Sequence, residues 1–405
     1  MRFKSEVLRE FEKRGFINQC SDIEGLDSLF ASKNVVIYLG SDPTADSLHI
    51  GHLVPVMMMR LAQKYGHTPI LLIGGATAHI GDPDKDVERP MLSTDTITKN
   101  TLGLKKSYSK FLNFNNDHNS AILVDNYTWF KDMNYLSFLR DVGSVVSVNK
   151  LIALDRIKKR LEQDLHLSFL ELNYPLFQSF DFLHLHDKYG CLVQLCGSDQ
   201  WGNAIGGIDL IKRKTGKDAY VLTTPLLTAS NGKKMGKSEG NAVWINEDKT
   251  SNWDYYQFFR NISDDLVIKM LYIYTDLPNE EIIKLSNLKG YDLNIAKKIL
   301  AFEATKICRG IDAAIQAEKS AIDTFENKKI GDDLPFFAVK NGMNILDVLI
   351  NCNIIKSKSE GRRLIEQGGI KINDEKISST DYILNVMNDI IISIGKKKKF
   401  VLKVK

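Results

Sequence analysis

The sequence predicts an α/β protein: a parallel sheet wrapped by helices, then a helical region, then a small α+β tail. Three observations carry this reading. Up to about residue 225, short β-rich runs alternate with amphipathic stretches. Between about Asn252 and Lys328 the strand signals vanish and the pattern is helical. From Asn344 onward the chain turns basic and switches between helix and strand patterns. Strands alternating with helical stretches are the pattern of a parallel sheet with helices on its faces.

The strand candidates are Val35 to Leu39, Pro69 to Ile73, Ala121 to Val124 and Leu192 to Leu195. Each is followed within a few residues by Gly, Asp, Ser or Asn. Ligands of open parallel sheets bind at the carboxyl ends of the strands, so those residues are the first place to look for a site. Farther on, Leu293 to Ala301 leading into Ile307 to Ala317 read as helices, and Asn279 after Pro278 suits an N-cap for Glu280 onward. Lys329 to Asn341, with Gly331, Asp332, Asp333 and Pro335 and with Gly342 just after, reads as a linker. The expected division is a sheet domain over 1–228, a glycine-rich loop and helical domain over 229–328, a linker over 329–343 and a tail domain over 344–405.

At 405 residues the chain exceeds the roughly 250 to 300 residues of one core. An apolar fraction of 43% and a charged fraction of 26% are ordinary for a soluble globular protein and exclude a disordered or collagenous class. Residues 344–405 hold 12 Lys plus Arg against 7 Asp plus Glu, a net of +5, whereas the remainder, 42 against 43, nets −1. A compact basic tail on a neutral body is an electrostatic footprint for a polyanion, although such runs are also common as plain solvated surface. Residues 1–16 show no leader pattern and no run reaches the ~18 apolar residues of a membrane helix, so a cytosolic protein without membrane contact is expected. The five cysteines are scattered without a Cys-x-x-Cys pair, which argues against disulfides and zinc. His184 and His186 alternate as on a strand but lack a third ligand at sensible spacing, so no metal site is expected.

Two stretches carry chemistry. The run Gly40-Ser41-Asp42-Pro43-Thr44-Ala45-Asp46-Ser47-Leu48-His49-Ile50-Gly51-His52 follows a strand and opens an apolar helix through Met57, Met58, Met59 and Leu61. Asp46 or Ser47 suits its cap, and a helix start offers N–H groups and a positive dipole end to a triphosphate. Gly40 and Gly51 leave room for a nucleotide against the backbone. His49 and His52 share one face and can donate to phosphate or ribose oxygens; satisfied capping histidines are the plainer alternative. Pro55 inside this helix suggests a kink or a special packing need.

Downstream, Ser230-Asn231-Gly232-Lys233-Lys234-Met235-Gly236-Lys237-Ser238-Glu239-Gly240 sets three lysines among three glycines. Lys234 and Lys237 can neutralise a departing pyrophosphate as the transition state forms, a differential stabilisation that raises rate. A solvated surface turn is the alternative.

Together the two stretches resemble the signatures of class I aminoacyl-tRNA synthetases, His-Ile-Gly-His matched at His49 to His52 and Lys-Met-Ser-Lys-Ser matched at Lys234 to Ser238. Gly236 departs from that consensus and resembles the tyrosine branch. Three further stretches resemble bacterial tyrosyl-tRNA synthetases: Tyr38 to Thr44, Tyr174-Pro175-Leu176-Phe177-Gln178-Ser179-Phe180-Asp181, and Gln194-Leu195-Cys196-Gly197-Ser198-Asp199-Gln200-Trp201-Gly202-Asn203. With the tail, the resemblance covers nearly the whole chain.

The resemblance implies a Rossmann-like catalytic domain, tyrosine activation with Mg2+-bound ATP, transfer to tRNA(Tyr), and a homodimer. It assigns Tyr174, Gln178 and Asp82 to the tyrosine ammonium group and Tyr38 with Asp181 to its phenolic hydroxyl. Gln194 and Gln200 join the tyrosine site. Gly197 and Asp199 fall to the ATP ribose, Asp42 near the α-phosphate, Thr44 with His49 to the pyrophosphate, and His52 against the ATP sugar. Gly40, Gly51, Lys234 and Lys237 complete the ATP set. Independently, Tyr174, Gln178 and Asp181 at i, i+4 and i+7 share one face of a helix. Ala78-His79 stands where the family usually has glycine and an aliphatic residue, and Pro175 follows the ligand tyrosine.

The tail stretch Ser357 to Asn373 reads as a capped basic helix, a glycine turn and a strand, and resembles a small RNA-binding domain shared with a ribosomal protein. Arg362, Arg363, Lys371 and Lys396 are its expected phosphate contacts. The rival readings are the tryptophan branch or a stand-alone nucleotidyltransferase, and an RNA-binding protein in which the tail does the work.

Overall fold

The computed structural model describes residues 3–83, 91–115, 118–228, 237–238, 241–325, 334, 336–385, 389–395 and 398–404. The chain divides into two compact units, residues 1–250 with 263–296, and residues 251–262 with 297–405.

The first unit is built on a six-stranded sheet. Its strands are β1 (Gln19–Cys20), β2 (Val36–Ser41), β3 (Thr68–Ile73), β4 (Ile122–Asp125), β5 (Cys191–Gly197) and β6 (Tyr220–Thr224), in the order β1-β6-β5-β2-β3-β4. All neighbours are parallel except β1, which pairs antiparallel with β6 at the edge. The order reverses direction at β2, with β3 on one side and β5 on the other, and that is where an open parallel sheet forms its crevice. The four strands expected from the sequence are all present. The two not expected are β1, two residues long, and β6, whose apolar part is too short for a periodic signal.

β3 is buried at five successive positions, as a strand covered on both faces must be. The helix Leu53–Lys64 covers the sheet with Leu53, Val54, Val56, Met57, Met58, Met59 and Ala62. Pro55 is the third residue of this helix, in the first turn, where backbone N–H groups have no intrahelical acceptor; the kink expected from the sequence has no cause there. On the other flank runs Phe169–Tyr189, opened by a capping box between Ser168 and Glu171 and closed by Gly190 at φ 67°. It takes Pro175 into its interior and carries His184 and His186, so these two sit on a helix and not on a strand. His184 stacks on Trp129 at 4.3 Å, and His186 pairs with Asp187.

In the second unit, Asn252–Arg260 packs against Ile311–Phe325. The guanidinium of Arg309 lies 4.9 Å from the Tyr255 ring centroid. Gly310, at φ 89°, separates Leu293–Arg309 from Ile311–Phe325. Asn279, expected to cap the helix after Pro278, is instead its first residue, in the first unit, and its side chain accepts from the Tyr272 hydroxyl.

After the short hairpin strands β7 (Lys237–Ser238) and β8 (Asn241–Ala242) of the first unit, the tail supplies five more. They are β9 (Phe336–Val339), β10 (Ile370–Ile372), β11 (Glu375–Lys376), β12 (Ile390–Ile394) and β13 (Lys398–Val404), ordered β11-β10-β12-β13-β9. Ile345, Leu349, Ile365, Ile370, Ile392 and Leu402 form their core. The tail helix Lys358–Glu366 is capped by the Ser357 side chain, as its sequence predicts.

Candidate active site

A cavity of about 720 Å³ opens at the carboxyl ends of the parallel strands of the first unit. β2 and the loop after it supply Tyr38, Gly40, Asp42, Thr44, His49, Gly51 and His52; the turn after β3 supplies Asp82. Phe169–Tyr189 supplies Tyr174, Gln178 and Asp181, and β5 with the turn after it supplies Gln194, Gly197, Asp199 and Gln200. Residues nominated from four separate stretches thus converge on one cleft. Of the two nominated lysines, Lys234 lies outside the described residues, and for Lys237 only the backbone is described.

The inner end holds polar atoms in search of a partner. Tyr38 is 1% exposed, its ring 5.1 Å from that of Phe182, and its hydroxyl has no hydrogen-bond partner. The Oε1 atoms of Gln178 and Gln194 are likewise buried and unpartnered. Leaving such groups unsatisfied costs about 1–3 kcal/mol each, a cost that a complementary ligand removes. Asp181 accepts from Asn126 Nδ2 and Trp129 Nε1, both at 3.0 Å, and the second carboxylate lone pairs leave it room for a further donor. Burial pushes the Asp181 carboxyl well above the usual carboxylate range; the two donors oppose that and the charges of Asp42 and Asp125 add to it. Burial, and then the charge of Asp181, likewise raises the Tyr38 hydroxyl.

Next along the wall stand carboxylates suited to a cation. The Tyr174 hydroxyl donates to Asp42 Oδ2 at 2.9 Å, the Thr77 hydroxyl donates to Asp42 Oδ1 at 2.6 Å, and Gln200 Nε2 donates to Asp82 Oδ2 at 2.8 Å. The resemblance grouped Tyr174 with Gln178 and Asp82; the structure ties its hydroxyl to Asp42. Gly74 makes this packing possible, because a Cβ there would fall 2.1 Å from Asp42 Oδ1 and 2.3 Å from Thr77 Oγ1. Ala78 and His79 face a side cavity shared with Asp42 and Thr44.

At the outer end, the histidines do not lie on one face of an α-helix. Ile50–His52 is a 3-10 turn, and His49, not Asp46 or Ser47, caps it: Gly51 N–H donates to His49 Nδ1 at 3.0 Å, and His49 N–H donates to His52 Nδ1 at 3.3 Å. Asp46 instead pairs with Lys249, and the Ser47 hydroxyl bonds Leu48 O. The two rings stack at 3.7 Å. With each Nδ1 accepting a backbone N–H, a neutral imidazole at either position carries its proton on Nε2.

The lysine stretch returns to this turn. Lys237 pairs with Ala242 in the β7–β8 hairpin. The next residue, Val243, accepts from Ile50 N–H at 3.0 Å, and Ile245 N–H donates to Leu48 O at 2.8 Å. The Trp244 ring lies edge-on to His49 at 5.9 Å. The segment that follows the lysine signature is therefore joined to the histidine turn by backbone hydrogen bonds.

The sequence reading missed Gly74, Thr77, Asn126 and Trp129. All follow β3 or β4 within a few residues, so the carboxyl-end rule pointed at them, but single polar residues without spacing left nothing to select them by. In the tail, Arg362 and Arg363 are exposed on Lys358–Glu366, and Lys371 lies on β10 opposite Lys376 and Ser393. Lys396 lies outside the described residues.

Residues 31–326 match the family described as "tRNA synthetases class I (W and Y)", and residues 326–402 match "Tyrosine--tRNA ligase SYY-like C-terminal domain". A tyrosine-tRNA ligase of Acetivibrio thermocellus is 46% identical over 403 residues, covering 97% of this chain and 98% of that one. The enzyme of that name from Rickettsia prowazekii is 44% identical over 409 residues, covering 98% and 99%. Among solved structures, a C-terminally truncated mitochondrial tyrosyl-tRNA synthetase of Aspergillus nidulans superposes with a TM-score of 0.71 at 30% identity, covering 79% of this chain and 94% of that one. With a parallel sheet split at β2, a cleft floored by Tyr38 and Asp181 and matches of this extent, the chain belongs to the tyrosine-tRNA ligases of the class I tRNA synthetase family.

Proposed function

We propose that this chain activates L-tyrosine with ATP to tyrosyl-adenylate and then transfers tyrosine to the 3′ end of tRNA(Tyr), releasing AMP and pyrophosphate. The observation that carries the reading is the buried, unpartnered Tyr38 hydroxyl within the field of the Asp181 carboxyl, in the same cleft as the stacked His49 and His52. A phenolic hydroxyl between Tyr38 and Asp181 fills both. Phenylalanine leaves both without a partner, and tyrosyl-tRNA synthetases are the standard example of rejection on that ground.

Asp82, Tyr174 and Gln178 hold the ammonium group, with Gln200 orienting Asp82 and Gln194 lining the same pocket. ATP enters as its Mg2+ complex, the ion being part of the substrate. Gly40 and Gly51 admit the nucleotide, Gly197 and Asp199 take the ribose beside His52, and Asp42 stands near the α-phosphate. The tyrosine carboxylate oxygen attacks the α-phosphorus in line. That bond forms as the bond to the β-phosphate bridging oxygen breaks, and the charge gathering on pyrophosphate is met by Thr44, His49, Lys234 and Lys237. A terminal ribose hydroxyl of the tRNA then attacks the tyrosyl carbonyl, and AMP leaves with the bonding electrons. No protein nucleophile is needed, so catalysis is positioning and electrostatics.

The helical stretch contacts the anticodon arm, and Arg362, Arg363, Lys371 and Lys396 of the tail contact tRNA phosphates, so tRNA affinity falls with salt. The enzyme works as a cytoplasmic homodimer; exposed Leu136, Val148 and Phe169 in the first unit offer apolar surface for a second copy. Among the described residues no helix is long and apolar enough to cross a membrane.

Exchange of labelled pyrophosphate into ATP, measured with tyrosine, with tryptophan and with no amino acid, tests the reading. Exchange with tyrosine alone is the expected result; exchange with tryptophan, or none, overturns it. His49→Ala is expected to slow adenylate formation by roughly 10²-fold while tyrosine affinity stays essentially unchanged.

A further inference from the structure

One buried side chain joins the segment after the lysine stretch to the residues that lead into His49, and it plays no part in the reaction steps above. Asn246 is 2% exposed and closes the segment that follows the lysine stretch. Its amide Nδ2 donates to Asp46 O at 3.0 Å and to Gly103 O at 3.1 Å. Its Oδ1 accepts from the Ser107 hydroxyl at 3.0 Å, and its backbone N–H donates to Ser47 Oγ at 3.0 Å. The Ser107 oxygen in turn accepts from Leu48 N–H at 3.2 Å. Asn246 thus bonds Asp46 and Ser47 directly, and through Gly103 and Ser107 it ties them to the helix Thr94–Tyr108.

The surroundings are shaped for this contact. Gly103 sits inside that helix, where glycine is less favourable than alanine. A Cβ at Gly103 would fall 2.0 Å from Asp46 O, so only glycine lets the helix approach closely enough for its carbonyl to meet Asn246. Lys249 adds an ion pair to Asp46 at 2.6 Å from the same segment. The two backbone bonds from Val243 and Ile245 to the turn carry this clamp directly to Leu48 and Ile50.

We propose that Asn246 is a positioning residue for the pyrophosphate end of the reaction. It locks Val243 to Asn246 onto Ser47 to Ile50, and so holds the stacked His49–His52 turn in its place at the pyrophosphate end of the cleft. An aspartate in its place retains the acceptor for Ser107 but loses both donations, and the turn loosens where its aim matters. Asn246 acts through His49 and touches no substrate.

This rests on the tyrosine-activation reading, and the test separates the two. Single-turnover adenylate formation and the tyrosine dissociation constant are measured in the full-length wild type, Asn246→Asp, Asn246→Ala, His49→Ala and the double variant His49→Ala with Asn246→Asp, with thermal unfolding followed for each. The expected result is a fall of about 10-fold or more in the adenylate rate for Asn246→Asp, with tyrosine affinity unchanged and little further loss when His49 is already alanine. A rate for Asn246→Asp within about twofold of wild type, or losses that multiply in the double variant, overturns the positioning role while leaving the function standing. Should Asn246→Ala and Asn246→Asp both fail to fold, Ser107→Ala, which removes the acceptor's partner, is subjected to the same cycle and must give the same coupling. A wild type without tyrosine-dependent activation overturns both.

Discussion

Buried polar side chains are treated in opposite ways in two regions of the first unit. Two such groups away from the cleft are satisfied: Asp27, 8% exposed, accepts from Lys4 N–H, Ser5 N–H and the Ser5 hydroxyl, and His67 Nδ1, on a residue 4% exposed, accepts from Val35 N–H. In the inner wall of the cleft, Tyr38, Gln178 and Gln194 each bury an atom with nothing to bond. The first arrangement stabilises the fold, whereas the second stores a cost that only a ligand relieves. Stability and specificity are therefore expected to respond to mutation with different signs in the two places.

The largest expected effect breaks the contrast at its hinge. Asp181 belongs to both classes, holding Asn126 and Trp129 while facing the cleft. Asp181→Ala strands two buried donors and removes the substrate contact, so kcat/KM for tyrosine in pyrophosphate exchange falls by roughly 10³-fold or more, and the protein loses about 2–4 kcal/mol in denaturant unfolding. A variant of unchanged stability would show that the carboxylate is not structural. Next comes Tyr38→Phe, which deletes an unpartnered hydroxyl. Discrimination of tyrosine from phenylalanine is expected to drop about 10-fold, while the melting temperature holds or rises; a marked fall in melting temperature would mean that the hydroxyl is satisfied in the free enzyme. The smallest effect sharpens the other side. Burial brings the His67 imidazole down to about 4. A lowered folded value means that the unfolded chain binds the proton more tightly, so the contribution is intact above the ordinary histidine range and drains away as pH falls from about 6.5 to 4. Melting temperature followed across that window should drop less in His67→Asn, which keeps an acceptor for Val35 and does not titrate.

The parts of the molecule legible in the sequence were those with repeated or spaced signals. Three of the four strand runs bury several residues each, the fourth being half-buried throughout, and the i, i+4, i+7 spacing of Tyr174, Gln178 and Asp181 announces a helical face. The histidine turn was legible as a site but not in its form. His-x-Gly-His is compatible with an α-helix; the His52 N–H to His49 O bond makes it a 3-10 turn, and the bonds to the two Nδ1 atoms show that it caps itself. Asn246, Gly74 and Gly103 were not legible, because their work is done across long separations. The amide of Asn246 meets Asp46 from 200 positions away, and no local window records that.

The first unit is not contiguous: the chain leaves it after Thr250 and returns for Ser263–Ala296. Arg14, near the start, donates to the carbonyls of Tyr272, Thr275 and Leu277, and the neighbouring Arg60 pairs with Asp276. A ribosome delivers Arg14 258 to 263 codons, and Arg60 216 codons, before the groups that receive them. Every described wall of the cleft is in place by Trp244, yet the guanidinium of Arg14 waits for its acceptors until the stretch around Leu277 has emerged. A nascent chain stalled between those points carries a nearly complete catalytic crevice on an unfinished foundation, and that is the species in which a chaperone or protease would find the most to hold.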